Sequence, residues 1–83
     1  MMNEIVKKIK LIWDFQGPAA AQTAAHHEKH LAEFTMLEDL NNKITGSFDL
    51  TDMHSVAFVV VDETELLEVR DILKPHRGEI FEE

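Results

Sequence analysis

Apolar and polar residues alternate along "KIKLIWDF", with Ile9, Leu11, Trp13 and Phe15 in phase, which is the two-residue period of a strand with one well-buried face. Gly17 and Pro18 break that pattern, and proline suits the start of a helix. From Ala19 onward Ala20, Ala24, His27, Leu31 and Phe34 recur in steps of four and three, the stripe of an amphipathic helix. The tract from Thr35 to Lys43 fits either of two readings: continuation of that helix through Leu37 and Leu40, or a loop turning at Asn41 and Asn42. "ITGSFDL" then reads as a strand through Ile44, Phe48 and Leu50, with Gly46 suggesting a bulge. It is expected to form a hairpin with residues 55 to 61 through a turn at Thr51 to Met53. "SVAFVVVD" is rich in β-branched residues and reads as another strand. Asp62 with Glu65 three residues on has the spacing of a capping box, Leu66, Val69 and Leu73 carry the stripe of a second helix, and Pro75 ends it. "EIFEE" after Gly78 closes the chain as a short strand.

Strand, helix, strand, strand, helix, strand is the order of the split βαβ, ferredoxin-like motif, so the expected fold class is α+β: a four-stranded antiparallel sheet with two helices on one face. One element sharpens this. Between Ser55 and Val61, Val56, Phe58 and Val60 lie on one side of the strand and Ala57, Val59 and Val61 on the other. Both sides are apolar and both call for cover, whereas two helices can cover only one face of the sheet. A second copy of the chain is the expected cover for the other.

On this element order and two-faced strand, the chain resembles the dimeric α/β-barrel superfamily, ferredoxin-like domains whose sheets pack face to face as homodimers. The resemblance spans almost the whole chain and implies a homodimer. Members of that superfamily include cofactor-independent monooxygenases, decarboxylase-like and isomerase-like enzymes, haem-degrading enzymes, stress-induced proteins and ligand-sensing modules. It implies a place to look rather than one activity.

Composition narrows the classes. At 83 residues the chain makes one domain, residues 1–83, and a domain of this size buries a modest share of its surface, which again favours self-association. Absence of cysteine removes disulfides, closed Cys/His zinc sites and thiol nucleophiles. Eight basic residues against sixteen acidic ones give a net charge of -8, which disfavours nucleic acid as a partner. "KKIK" is followed by only Leu11-Ile12-Trp13 before Asp14, too short an apolar run for a signal peptide, and no stretch is long enough to span a membrane. A cytoplasmic protein is the expectation. No phosphate-binding glycine loop is present, and Ser47 and Ser55 lack a nucleophile-elbow context.

The candidate chemistry rests on where the topology brings residues together. One end of the sheet collects Trp13 and Asp14 from the end of the first strand, Asp52, Met53 and His54 from the turn before the third, and His76 and Arg77 from the start of the fourth. "TAAHHEKHLAEF" adds three of the chain's five histidines. At about 100° per residue, His27 falls inside the buried stripe, His30 at its border and His26 well outside. His27 is therefore either a pocket group or a core histidine bonded to a backbone carbonyl. His26 and His30, four apart, share a face and can chelate an adventitious divalent ion, with Glu33 as a third ligand; the alternative is a solvated pair. "HEKH" is one residue too short for the metalloprotease pattern. No cofactor is expected.

Three functions remain open. In the first, a homodimer binds a small molecule between the first helix and the sheet, in a pocket lined by Trp13, His27 and Phe34 with His76 and Arg77 among its ligand-binding groups. In the second, the same pocket serves a cofactor-independent enzyme, with His27 or His54 as base and Asp14 as its orienting acid. In the third, an interaction or regulatory module presents its acidic face to a protein partner.

Overall fold

The computed structural model describes residues 6–82. Its elements run β1 (Lys8–Gln16), α1 (Ala20–Leu37), β2 (Thr45–Thr51), β3 (His54–Asp62), α2 (Leu66–Leu73) and β4 (Arg77–Phe81). The strands form one antiparallel sheet in the order β2-β3-β1-β4, so the longest strands, β1 and β3, lie at its centre. This is the α+β ferredoxin-like architecture that the alternation and helical stripes predict.

The odd-numbered residues of β1 face the helices. Leu11 and Trp13 pack with Ala57, Val59 and Val61 of β3, Ala24 and Leu31 of α1, and Val69 of α2. Trp13 also donates its indole N–H to the Leu73 carbonyl at 3.2 Å, which ties the last turn of α2 to the middle of the sheet.

The ambiguous tract is divided between its two readings. α1 continues to Leu37, and the chain then turns through Asp39 at φ 51°. Leu40 folds back beneath the helix and is only 7% exposed, so it serves the core from a loop rather than from α1.

The predicted capping box forms only by half. Glu65 Oε1 accepts the Asp62 backbone N–H at 3.3 Å, but the Asp62 carboxylate is taken by the amides of Asn42, at 2.6 Å, and Asn41, at 2.9 Å. Residues 63 to 65 consequently make a turn, and α2 begins at Leu66. Glu65 Oε2 also accepts the Asn41 N–H at 3.0 Å, so both carboxylates fasten the loop after α1 to the loop before α2.

Two further expectations are corrected in detail. The bulge in β2 lies between Asp49 and Thr51, not at Gly46. Gly46 serves close packing instead: a Cβ there would come within 2.7 Å of the Phe58 ring, which lies over it. The last strand starts at Arg77 and ends at Phe81, and Glu83 lies outside the described residues.

No helix among the described residues covers the second face of the sheet. By register it carries Lys10, Ile12 and Asp14 of β1, Val56, Phe58 and Val60 of β3, Phe48 of β2, and Arg77 and Glu79 of β4. Ile12, Val56 and Val60 are nevertheless buried within the single chain. On the same face the Lys10 ammonium sits 4.5 Å from the Phe58 ring centroid and 5.9 Å from that of Phe48. Exposed apolar surface remains along the β2 side, at Ile44 and at Phe48, which is 46% exposed.

Candidate functional site

Three loops meet at one end of the sheet because β1, β3 and β4 all begin or end there. Gly17, at φ 108°, turns the chain from β1 towards α1, a backbone conformation that L side chains resist, and its N–H reaches the Met53 carbonyl in the β2–β3 turn at 2.8 Å. From the α2–β4 connection, the His76 N–H donates to the Ile12 carbonyl at 2.9 Å, and His76 Nδ1 in turn accepts the Asp14 N–H at 2.9 Å. The imidazole nitrogen thus stands where a strand carbonyl would, continuing the β1–β4 ladder by one bond. Accepting at Nδ1 requires that nitrogen to be unprotonated, which places the proton of neutral His76 on Nε2.

Asp14 is the centre of the polar cluster. Its carboxylate meets Arg77 through two bonds, Nε to Oδ2 at 2.9 Å and Nη2 to Oδ1 at 3.1 Å, and His54 Nε2 through a third at 2.8 Å. Arg77 Nη1 also reaches Glu79 at 3.2 Å. The arrangement spans three adjacent strands on the face that carries no helix. Hydrogen bonding to Arg77, aided by His54, outweighs the cost of partial burial and lowers the Asp14 carboxyl from 3.8 to about 2. The same contact raises the Arg77 guanidinium. Asp14 is therefore a fixed anion at every physiological pH. It orients His54 and leaves His54 Nδ1 with no hydrogen bond among the described residues.

Of the residues predicted to converge at this end, Asp14, His54, His76 and Arg77 do so, while Asp52 stays exposed in the turn. The sheet itself divides them. Asp14, His54 and Arg77 lie on the open face, whereas His27, Trp13 and Phe15 lie on the helix side. His27 is wedged between the rings of Trp13, 4.9 Å away, and Phe15, 5.5 Å away, with His76 6.4 Å beyond Phe15. Its Nε2 is buried and has no hydrogen-bond partner, so of the two readings of His27 the bond to a backbone carbonyl is not made by this nitrogen. Burial first, and then the neighbouring His30, His76 and His26, hold this imidazole below its usual value of 6.5. His27 and Asp14 do not form a base–acid pair, because the carboxylate that could orient His27 points through the opposite side of β1 to His54.

Phe34, the third residue assigned to the helix–sheet pocket, lines a different space. A cleft of about 200 Å³ opens between α1 and α2, floored by Phe34, Leu40, Val69 and Ile72 and rimmed by Glu38, Glu65 and Glu68. Its lining includes neither Trp13 nor His27.

His26 and His30 are exposed on α1, with their Nε2 atoms 3.1 Å apart. Glu33 Oε1 lies 3.5 Å from Nδ1 of His30, on the far side of the ring from that pair, so it does not complete a three-ligand set. Among the described residues no group of three or more histidines and carboxylates is gathered as metal ligands. Ser55 Oγ donates to Asp49 Oδ1 at 2.7 Å. No helix among the described residues is long and apolar enough to cross a membrane.

Sequence reasoning missed Glu79 as the second partner of Arg77 and Lys10 as the cover of Phe58. Both follow from strand register, which pairs Lys10 with Glu79 and Ile12 with Arg77, and no local pattern announces that pairing. Comparison with known proteins adds no relative: no protein family, no characterised protein and no solved structure matches the chain.

Proposed function

We propose that the chain works as a homodimer that binds a small polar molecule, with two copies meeting through their open sheet faces and the Asp14–His54 pair at the edge of the enclosed space. The observation that carries this reading is the Asp14 carboxylate, held by Arg77 and oriented onto His54 across three strands, on the face that no helix covers. Bonds from Arg77 and His54 already satisfy much of the Asp14 carboxylate, which offsets part of the cost of desolvating these ion pairs further. Packing a second sheet over them excludes water and strengthens whatever contact a ligand makes with His54 Nδ1.

Charge supports a second copy as the occupant. Lys10 and Arg77 lie among Asp14 and Glu79 on the same face, so a two-fold axis can set each sign against the other, as an isologous interface requires. Area is adequate but not generous. Four strands of five to nine residues, about 4.8 Å apart and roughly 17 to 30 Å long, present on the order of 500 Å² before side-chain relief, below the ~800 Å² per partner of a standard interface. A dimer of moderate affinity follows.

Sedimentation equilibrium of the full chain and of Phe48→Lys tests this. Phe48 is exposed in one chain, so the substitution spares the fold while placing a charge in the contact. A concentration-dependent dimer that Phe48→Lys weakens supports the reading; a monomer at tens of micromolar overturns it.

A second reading, a cofactor-independent enzyme, is favoured by the same 2.8 Å bond. There Asp14 orients His54, and Nδ1 of His54 takes the proton. Arg77 weighs against it, because two bonds from a guanidinium spend most of the charge with which Asp14 could raise the basicity of His54. His54→Gln separates the two: binding that survives with reduced affinity fits the module, and abolished turnover with retained binding fits the enzyme.

A further inference from the structure

We infer that His26 and His30 form a two-nitrogen site on the outer flank of α1 for a borderline divalent transition ion, of the class of Cu²⁺, Ni²⁺ or Zn²⁺. This stands independently of the open-face reading, since it uses the other side of the molecule.

The spacing comes from the helix. His26 and His30 stand one turn apart within the 18-residue α1, so backbone hydrogen bonds fix the separation of their Cα atoms. Their rings meet nearly edge to face, with centroids 4.7 Å apart and Nε2 atoms 3.1 Å apart. Two imidazole nitrogens bound at about 2.0 to 2.1 Å to one ion stand about 2.9 Å apart at a right angle and about 3.3 Å apart in a tetrahedron. The observed separation lies between the two.

The second ring nitrogen of His30 completes the argument. Glu33 Oε1, 3.5 Å from Nδ1, favours a proton there and leaves the Nε2 lone pair for the metal. At present the two Nε2 atoms share one hydrogen bond, so one of them carries a proton. On binding, the ion takes the place of that proton, which moves to the Nδ1 of its own ring, and both imidazoles stay neutral. Both rings are exposed, so water fills the remaining coordination positions. Imidazole donors select this class of ion over Mg²⁺ and Ca²⁺, which prefer oxygen.

Occupancy also bears on the helix. α1 has no side-chain hydrogen bond at its N-cap, Ala19, no acid in its first turn and no base in its last. A chelate across one turn supplies a restraint those ends lack, and an ion that binds only the folded helix raises its stability by mass action.

Isothermal titration of the full chain with Zn²⁺, Ni²⁺ or Mg²⁺ as the only added metal, at neutral pH, tests the site alongside His26→Ala, His30→Ala and Glu33→Gln. All three positions are exposed, and circular dichroism verifies the fold of each variant. The expected result is one ion per chain, heat abolished by either histidine variant, about tenfold weaker binding in Glu33→Gln, and a melting temperature that rises with metal only where both rings remain. No heat at millimolar metal, binding that survives His26→Ala, or Mg²⁺ binding of equal strength overturns the site.

Discussion

Replacing Asp14 by Asn removes the charge that Arg77 and His54 share while keeping the shape of the side chain. The wild-type carboxyl is lowered from 3.8 to about 2, and at about 1.4 kcal/mol per unit the ceiling on its contribution is roughly 2 to 2.5 kcal/mol. Solvent reduces this, since the Asp14 side chain is 22% exposed and that of Arg77 45%, so about 1 to 2 kcal/mol is expected. The folded pKa lies below the unfolded one. The stabilisation is therefore complete above about pH 3.8 and is lost as pH falls through 3.8 towards 2. Urea unfolding at pH 7 and again between pH 4 and 2 measures it. Asp14→Asn should unfold with 1 to 2 kcal/mol less stability at pH 7, each kcal/mol worth about 4 to 8 °C in a domain of this size, and the gap from wild type should close near pH 2. Equal stability at pH 7, or a gap that stays constant down to pH 2, would refute the assignment of Asp14 as the anion that joins β1, β3 and β4.

Three other outcomes follow from the packing. Gly17→Ala forces an L side chain to φ 108° and should cost about 1 to 2 kcal/mol in thermal melts; since nothing lies within 4 Å of the added Cβ, a loss far above this would mean that space rather than conformation sets the cost. Leu40→Ala should cost about 2 to 4 kcal/mol despite its place in a loop, because the side chain is 7% exposed against the core; a change below 1 kcal/mol would show that the loop is not anchored there. His27→Leu removes a buried nitrogen with no partner while keeping an apolar body between Trp13 and Phe15, so urea unfolding at pH 7 should show about 1 kcal/mol of added stability; a clear loss would mean that His27 Nε2 holds a partner in solution.

The parts of this fold that were legible in the sequence are those whose burial repeats at a fixed period. Trp13 and its odd-numbered neighbours declared the helix-facing side of β1, and Val56 to Val61 declared a central strand apolar on both sides. Leu40 and Asp62 broke the local rules for physical reasons: Leu40 reaches the core from beyond the helix end, and Asp62 gives its carboxylate to Asn41 and Asn42 rather than to α2. The apolar second side of β3 led to the expectation of a second copy as cover, whereas Ile12, Val56 and Val60 are already buried within one chain and Lys10 lies over Phe58. At the candidate site, topology sufficed to bring Asp14, His54, His76 and Arg77 to one end. Alternation in β1 already separated Asp14 from Trp13, and hence from His27, because adjacent strand residues face opposite ways. That Arg77 and Glu79 share the face of Asp14 depended on the register of a five-residue edge strand, which leaves no periodic trace.

Whether a second copy covers the open sheet face is measured by intermolecular NOEs in a mixture of isotopically labelled and unlabelled chains. Cross-chain contacts are expected from the rings of Phe48 and Phe58 and the methyls of Ile44. Cross-chain contacts confined to the helices, or none at concentrations well above that of the sedimentation experiment, would contradict a second copy as cover.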